Sequence, residues 1–192
     1  MKHADNIEAV GQLPIDYMGF IFYPPSPRYA GDLNPEHIRL PKHIQRTGVF
    51  VDESPDVILS LAQCYRLSVI QLHGNESTEV CNVLRREGLQ VIKVFSVSEA
   101  SDLQVTTAYE GHTDFFLFDT KTILRGGSGQ QFDWSVLQNY KGRTSFFLSG
   151  GIGADDMERI RQFSHSKLYA LDLNSRFELS PGMKDIELLK KI

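Results

Sequence analysis

Cysteine is scarce in this chain: Cys64 and Cys81 are its two thiols. They form no CxxC or other metal-ligand spacing, which argues against a disulfide framework or a zinc site and predicts a reducing, cytoplasmic setting. Long apolar runs are missing too, so nothing reads as a membrane span. The start shows no charged stretch leading into an apolar one, so the expectation is against a secretory signal. Neither a basic stripe suited to nucleic acid nor an acidic tail suited to a partner stands out, and the net charge is only −4. What is present is 192 residues, 41% of them hydrophobic, enough for one substantial core and most simply one domain over 1–192.

Short apolar runs recur along the chain. YMGFIF (17–22), TGVFV (47–51), SVIQLH (68–73), QVIKVF (90–95), DFFLF (114–118), TSFFLS (144–149) and KLYALD (167–172) are rich in β-branched, aromatic and aliphatic residues, as strands buried on both faces are. Helical patterns lie between them, near 35–44, 54–65, 76–87, 98–109, 133–140, 154–163 and 184–191. Ser54-Pro55 is a cap followed by proline at the first helical position, and Gly88 stops the 76–87 helix. One more helix opens the chain at 3–13, where Ala4, Ile7 and Val10 share a stripe. A βα unit thus recurs every ~20–30 residues, the rhythm of parallel α/β folds. Seven strands and eight helices result, and the unpaired helix is the first. An open doubly wound sheet tolerates that count. A (β/α)₈ TIM barrel without strand 1 matches it better, and that is the expected fold.

In such folds chemistry sits at the C-terminal ends of strands. After 17–22 comes YPPSPRY, where two prolines stiffen a loop that presents Arg28. A guanidinium there can pair bidentately with a carboxylate, although SPR alone reads first as a solvated arginine on a stiff loop. His73 ends the third run, either as a ligand-facing group or as a structural one. Asp119 follows the DFFLF run; a desolvated carboxylate at a strand end has its pKa raised, as a general acid requires, unless it caps the next loop or pairs with a cation. The glycine cluster at 126–129 permits a loop that closes over substrate. Gly150, Gly151 and Gly153 allow a tight turn that aims N–H groups at an anion beside a helix start. Asn174 and Ser175 offer further donors, and in barrels the loops after strands 7 and 8 often bind phosphate.

Together these segments resemble the phosphoribosylanthranilate isomerase family over essentially the whole chain. The matching motifs are GFIFYPPSPRY, VFVDES, VIQLHG, FFLFDT with GGSGQQFDW, FFLSGGI, and LDLNSRFE leading to PGMKD. The resemblance implies a (β/α)₈ barrel of tryptophan biosynthesis. Its reaction is the Amadori rearrangement of N-(5′-phosphoribosyl)anthranilate to 1-(2-carboxyphenylamino)-1-deoxyribulose 5-phosphate, without metal or cofactor. It implies Asp119 as the acid that protonates the ribose ring oxygen, and Arg28 beside the anthranilate carboxylate. Asp172 then faces the anthranilate moiety, and Gly150, Gly151, Asn174 and Ser175 bind the phosphate. The implied partner is a small phosphorylated substrate, with neither nucleic acid nor membrane, in a monomer or homodimer. Arg176 departs from a common glycine and Gln130 from a common lysine. The family's first strand ends in a KVCGM-like stretch whose cysteine removes the C2′ proton, and Met1 aligns with its methionine, so strand and base are expected to be missing. Cys64 and Cys81, on expected helices, do not replace that base. Two other readings are a phosphate-binding relative without catalysis and another barrel of the pathway, such as indoleglycerol-phosphate synthase. The SPRY and FDT loops argue against the last.

Overall fold

Runs buried on both faces call for a parallel sheet covered by helices, and the computed structural model, which describes residues 1–121 and 132–192, has that architecture. The strands are β1 (Tyr17–Ile21), β2 (Gln45–Phe50), β3 (Val69–Leu72), β4 (Gln90–Val97), β5 (Phe115–Thr120), β6 (Ser145–Leu148) and β7 (Leu168–Leu171). They pair in sequence order, each parallel to the next, and each boundary lies within two residues of the expected run. The sheet curls so far that Tyr17 of β1 meets Phe147 of β6 edge-on, ring centroids 5.2 Å apart. Val69, Ile92, Val94, Leu117 and Phe147 fill the concave side. Each such side chain contributes about 1.5–3 kcal/mol by leaving water.

The convex side is covered in two halves. Helices α1 (Ala4–Val10), α2 (Pro55–Tyr65) and α3 (Thr78–Arg86) lay Ile7, Ile58 and Leu84 against Phe20, Phe50 and Ile70. Ser54 accepts from Val57 N at the start of α2, with Pro55 at the first helical position as expected. The second half packs Leu103, Trp134 and Leu137 on Phe95, Phe116 and Phe146. The expectation of eight helices needs correcting. Among the described residues five are α-helices, completed by α4 (Met157–Gln162) and α5 (Ile186–Leu189). The helix expected at 35–44 is a single 3₁₀ turn, Pro35–His37, because Pro41 cannot donate a helical hydrogen bond and disfavours the helical region at residue 40. Ala100–Tyr109 and Trp134–Asn139 are wound as 3₁₀; the β-branched run Val105-Thr106-Thr107 gives the first of them little α propensity. A short antiparallel hairpin, β8 (Glu178–Ser180) with β9 (Met183–Lys184), was not anticipated.

β1 and β7 form the two edges of the curled sheet. Gln45 N donates to Asp16 O and Phe22 N donates to Val49 O, so the even-numbered residues of β1 face β2. Tyr17, Gly19 and Ile21 turn to the other edge, where Gly19 O accepts from the Met1 nitrogen at 2.6 Å and Ile21 O from Ala30 N at 2.8 Å. Two links cross from edge to edge. At the bottom, the Tyr17 and Tyr169 hydroxyls lie 3.3 Å apart. At the top, Arg28 pairs with Glu178. Cover is thin beside β7: Tyr169 is 54% exposed, and neither α4 nor α5 contains a buried residue.

Candidate active site

Side chains alternate along a strand, so the interior rows dictate what stands at the mouth. Phe115 and Leu117 point inward, and the next residue of their row is Asp119. Val69 leads through Gln71 to His73, Phe147 to Ser149, and Ala170 to Asp172. The structure brings these four together. His73 Nε2 is 3.5 Å from Asp119 Oδ2, while Asp119 Oδ1 accepts from Thr120 N at 2.8 Å. Ser149 Oγ donates to Asp172 Oδ2 at 2.8 Å. The Asp172 carboxyl is pushed above its ordinary pKa, chiefly by loss of hydration; the Ser149 bond opposes this, the Asp119 charge adds to it, and Lys184 and His73 oppose it. A cavity of about 350 Å³ opens here, bordered by His73, Lys93, Asp119 and Thr120. A larger depression, about 650 Å³, lies at the opposite end between α3 and the start of β4, where Arg85 and Asp114 pair at 3.2 Å. None of the strand-end groups faces it.

The loop after β3 is braced by a buried pair. Lys93 Nζ lies 3.1 Å from Glu76 Oε2 and also donates to Gly74 O at 2.8 Å; Glu76 Oε1 accepts from Asp52 N and Gly74 N at 2.9 and 3.0 Å. Arg28, the expected carboxylate partner, lies side-on against Glu178: Nε donates to both carboxylate oxygens, at 3.1 and 2.9 Å, and Nη2 lies 2.8 Å from Oε2. That arrangement leaves the Nη1 end uncommitted to Glu178.

In the expected phosphate loops, Gly150 and Gly151 have φ of +94° and +65°, values that suit glycine. A Cβ on Gly150 would meet Thr120 N at 2.7 Å as well as the Thr120 hydroxyl, so the turn also depends on close approach. The Gly153 N–H is taken by Asp156 Oδ2 at 2.7 Å. Asn174 leads into the 3₁₀ turn Ser175–Phe177 and accepts from Lys184 Nζ at both its carbonyl (2.9 Å) and Oδ1 (2.8 Å). Arg176 reaches across to Gly151 O at 3.3 Å and to Asp155 at 3.3 Å. The glycine cluster at 126–129 and Gln130 lie outside the described residues. Cys64 is exposed on α2; Cys81 is buried in α3, where burial pushes its thiol up to about 11. Neither stands at the mouth.

Sequence reasoning passed over Glu76, Lys93, Ser149, Glu178 and Lys184. Lys93 carried a usable signal, a lone charge inside the apolar run QVIKVF. Ser149, the last residue of the run TSFFLS, carried the same strand-end signal as His73, whereas nothing local singles out Glu76, Glu178 or Lys184.

Comparison with known proteins meets this geometry. A model of the family described as N-(5'phosphoribosyl)anthranilate (PRA) isomerase matches residues 1–192. The N-(5'-phosphoribosyl)anthranilate isomerase of Phocaeicola vulgatus is 48% identical over 185 residues, 96% of this chain and 89% of that protein. The solved phosphoribosyl anthranilate isomerase of Thermotoga maritima superposes with a TM-score of 0.87 at 34% identity, covering 100% of this chain and 92% of that one. A phosphoribosyl anthranilate isomerase solved in complex with reduced 1-(o-carboxyphenylamino)-1-deoxyribulose 5-phosphate gives 0.83 at 30% identity, with 100% and 92% covered. With a curled parallel sheet and a match along its whole length, the chain belongs to the N-(5'-phosphoribosyl)anthranilate isomerase family of tryptophan-biosynthesis enzymes.

Proposed function

We propose that this chain isomerises N-(5′-phosphoribosyl)anthranilate with Asp119 as the general acid, acting as one phosphate-binding (β/α)₈-type unit over 1–192. The observation that carries the reading is the convergence of Asp119, His73 and Asp172 at the strand mouths, with the Gly150 turn beside Asp119. Asp119 gives its proton to the ribose ring oxygen as the C1′–O bond breaks, and the anthranilate nitrogen lone pair forms the Schiff base. Loss of the C2′ proton to a base then gives the enolamine, which tautomerises to the ketone; no atom is gained or lost. The free end of Arg28 receives the anthranilate carboxylate, and Asp172 faces the anthranilate moiety. Gly150, Gly151, Asn174 and Ser175 hold the phosphate, which the positive-φ turn and the donors of Asn174 and Ser175 support.

The proton-accepting group belongs, on this reading, to an eighth strand in the seam between β1 and β7. The thin cover beside β7 supports that placement. We assign the protein to the cytoplasm, as a monomer or homodimer. The deciding experiment is Asp119→Asn in the chain extended by that strand, assayed by turnover of N-(5′-phosphoribosyl)anthranilate. Turnover should fall about 10²–10⁴-fold, the usual worth of general acid–base catalysis, with an unchanged circular dichroism spectrum. A rate near wild type would refute the assignment.

A further inference from the structure

One chain of charged hydrogen bonds joins Arg28 to Asn174. Glu178, its side chain 4% exposed, holds Arg28 side-on and also accepts from Gly182 N at 3.1 Å. Lys184 Nζ lies 3.4 Å from Glu178 Oε1 and spends its remaining donors on Asn174, at the carbonyl and at Oδ1. The register of the β8–β9 hairpin pairs Glu178 with Lys184, so the two charges meet by cross-strand placement. The first helix braces the arrangement from outside: Asn6 donates to Lys184 O at 2.9 Å and accepts from Lys184 N at 2.7 Å.

We propose that Glu178 and Lys184 are positioning residues for the substrate, Glu178 orienting Arg28 for the carboxylate and Lys184 tying that arginine's partner to the phosphate loop at Asn174. The inference rests on the reading of Arg28 and Asn174 given above. Burial works to raise the Glu178 pKa, but the Arg28 hydrogen bond and the charges of Lys184 and Arg28 hold it below the ordinary carboxylate value, so it stays an anion able to orient both cations. Burial lowers the Lys184 pKa, chiefly by desolvation, against the pull of Glu178 and Asp172.

The test titrates anthranilate and inorganic phosphate separately into ¹⁵N-labelled wild type, Arg28→Gln, Glu178→Gln and Lys184→Met, reading each Kd from amide shifts. Arg28→Gln should lose anthranilate and keep phosphate. Glu178→Gln should weaken anthranilate by about fivefold or more with phosphate unchanged, and Lys184→Met should weaken both by about as much, the lower end of typical coupling between sites. General loosening would lower both affinities in both variants, so an equal phosphate loss in Glu178→Gln overturns the proposal. A folded Lys184→Met that binds both probes as wild type does also overturns it. Should Lys184→Met fail to fold, Lys184→Gln takes its place; should that fail too, the isosteric Glu178→Gln decides, and unchanged anthranilate binding counts against us. If Arg28→Gln binds anthranilate normally, the carboxylate reading falls, while the phosphate arm of Lys184→Met still judges the Lys184–Asn174 link. Wild type that answers neither probe overturns the site reading and the inference built on it.

Discussion

Replacing Lys93 with methionine tests how the loop after β3 is held. The Lys93 and Glu76 side chains are 3% and 2% exposed, and their charges lie 3.1 Å apart. Methionine fills the volume of the lysine stem but leaves the Glu76 carboxylate buried with only the N–H groups of Asp52 and Gly74. Removing one partner of a buried pair costs about 3–5 kcal/mol, since the other charge stays out of water uncompensated. That is a large part of a total stability of about 5–15 kcal/mol. For a domain of this size each kcal/mol moves Tm by about 2–4 °C, so Lys93→Met should melt roughly 6–20 °C below wild type. Urea denaturation gives the same quantity independently. The double variant Glu76→Gln/Lys93→Met should recover part of the loss, because two neutral groups no longer leave a charge stranded. Losing less than about 1 kcal/mol in the single variant would refute the reasoning, for the pair would then be worth no more than an exposed one.

Other expectations follow from the same geometry. Glu110 accepts from Thr144 Oγ1 at 2.8 Å, Arg143 N at 2.9 Å and Tyr140 at 3.1 Å; burial works to raise its pKa, but these bonds together hold it below the ordinary value. Its stabilisation is therefore present above the unfolded carboxylate pKa and lost as pH falls through the folded one, so Glu110→Gln should flatten the acid side of a urea-midpoint profile. Asp172 has the opposite sign: its folded pKa is raised, so stability is lost as pH rises through the ordinary carboxylate range, and Asp172→Asn should be more stable than wild type at pH 7 but not at pH 3. Gly150→Ala forces a side chain into φ of +94° and against Thr120; calorimetry should show a loss of about 1–3 kcal/mol, and an unchanged Tm would contradict the close approach. Extending the chain at its start by about six to eight residues ending in Cys-Gly, the length of an ordinary strand, should raise both Tm and turnover. If the 192-residue chain alone turns over as fast as the extended one, another residue is the base.

Much of this was legible in the order of the residues. Strands buried on both faces must be continuous in apolar side chains, so the seven runs announced themselves and their parallel order followed from the helices between them. Asp119 was legible for the same reason: a carboxylate directly after a buried run has nowhere to stand but the mouth. The short elements were harder, because local propensity is weak where packing decides; Pro41 outweighed the pattern at 35–44, and Ala100–Tyr109 wound tighter than its spacing suggested. What only the tertiary structure decided was who pairs with whom. Arg28 and Glu178 are 150 residues apart and meet because the sheet curls until its two edges face each other, with the β8–β9 register setting Glu178 opposite Lys184. The Glu76–Lys93 pair likewise exists only once β3 and β4 lie side by side. A local pattern reports which face of an element is buried; which charges meet depends on the register and curvature that bring elements together, and sequence spacing alone does not name those partners.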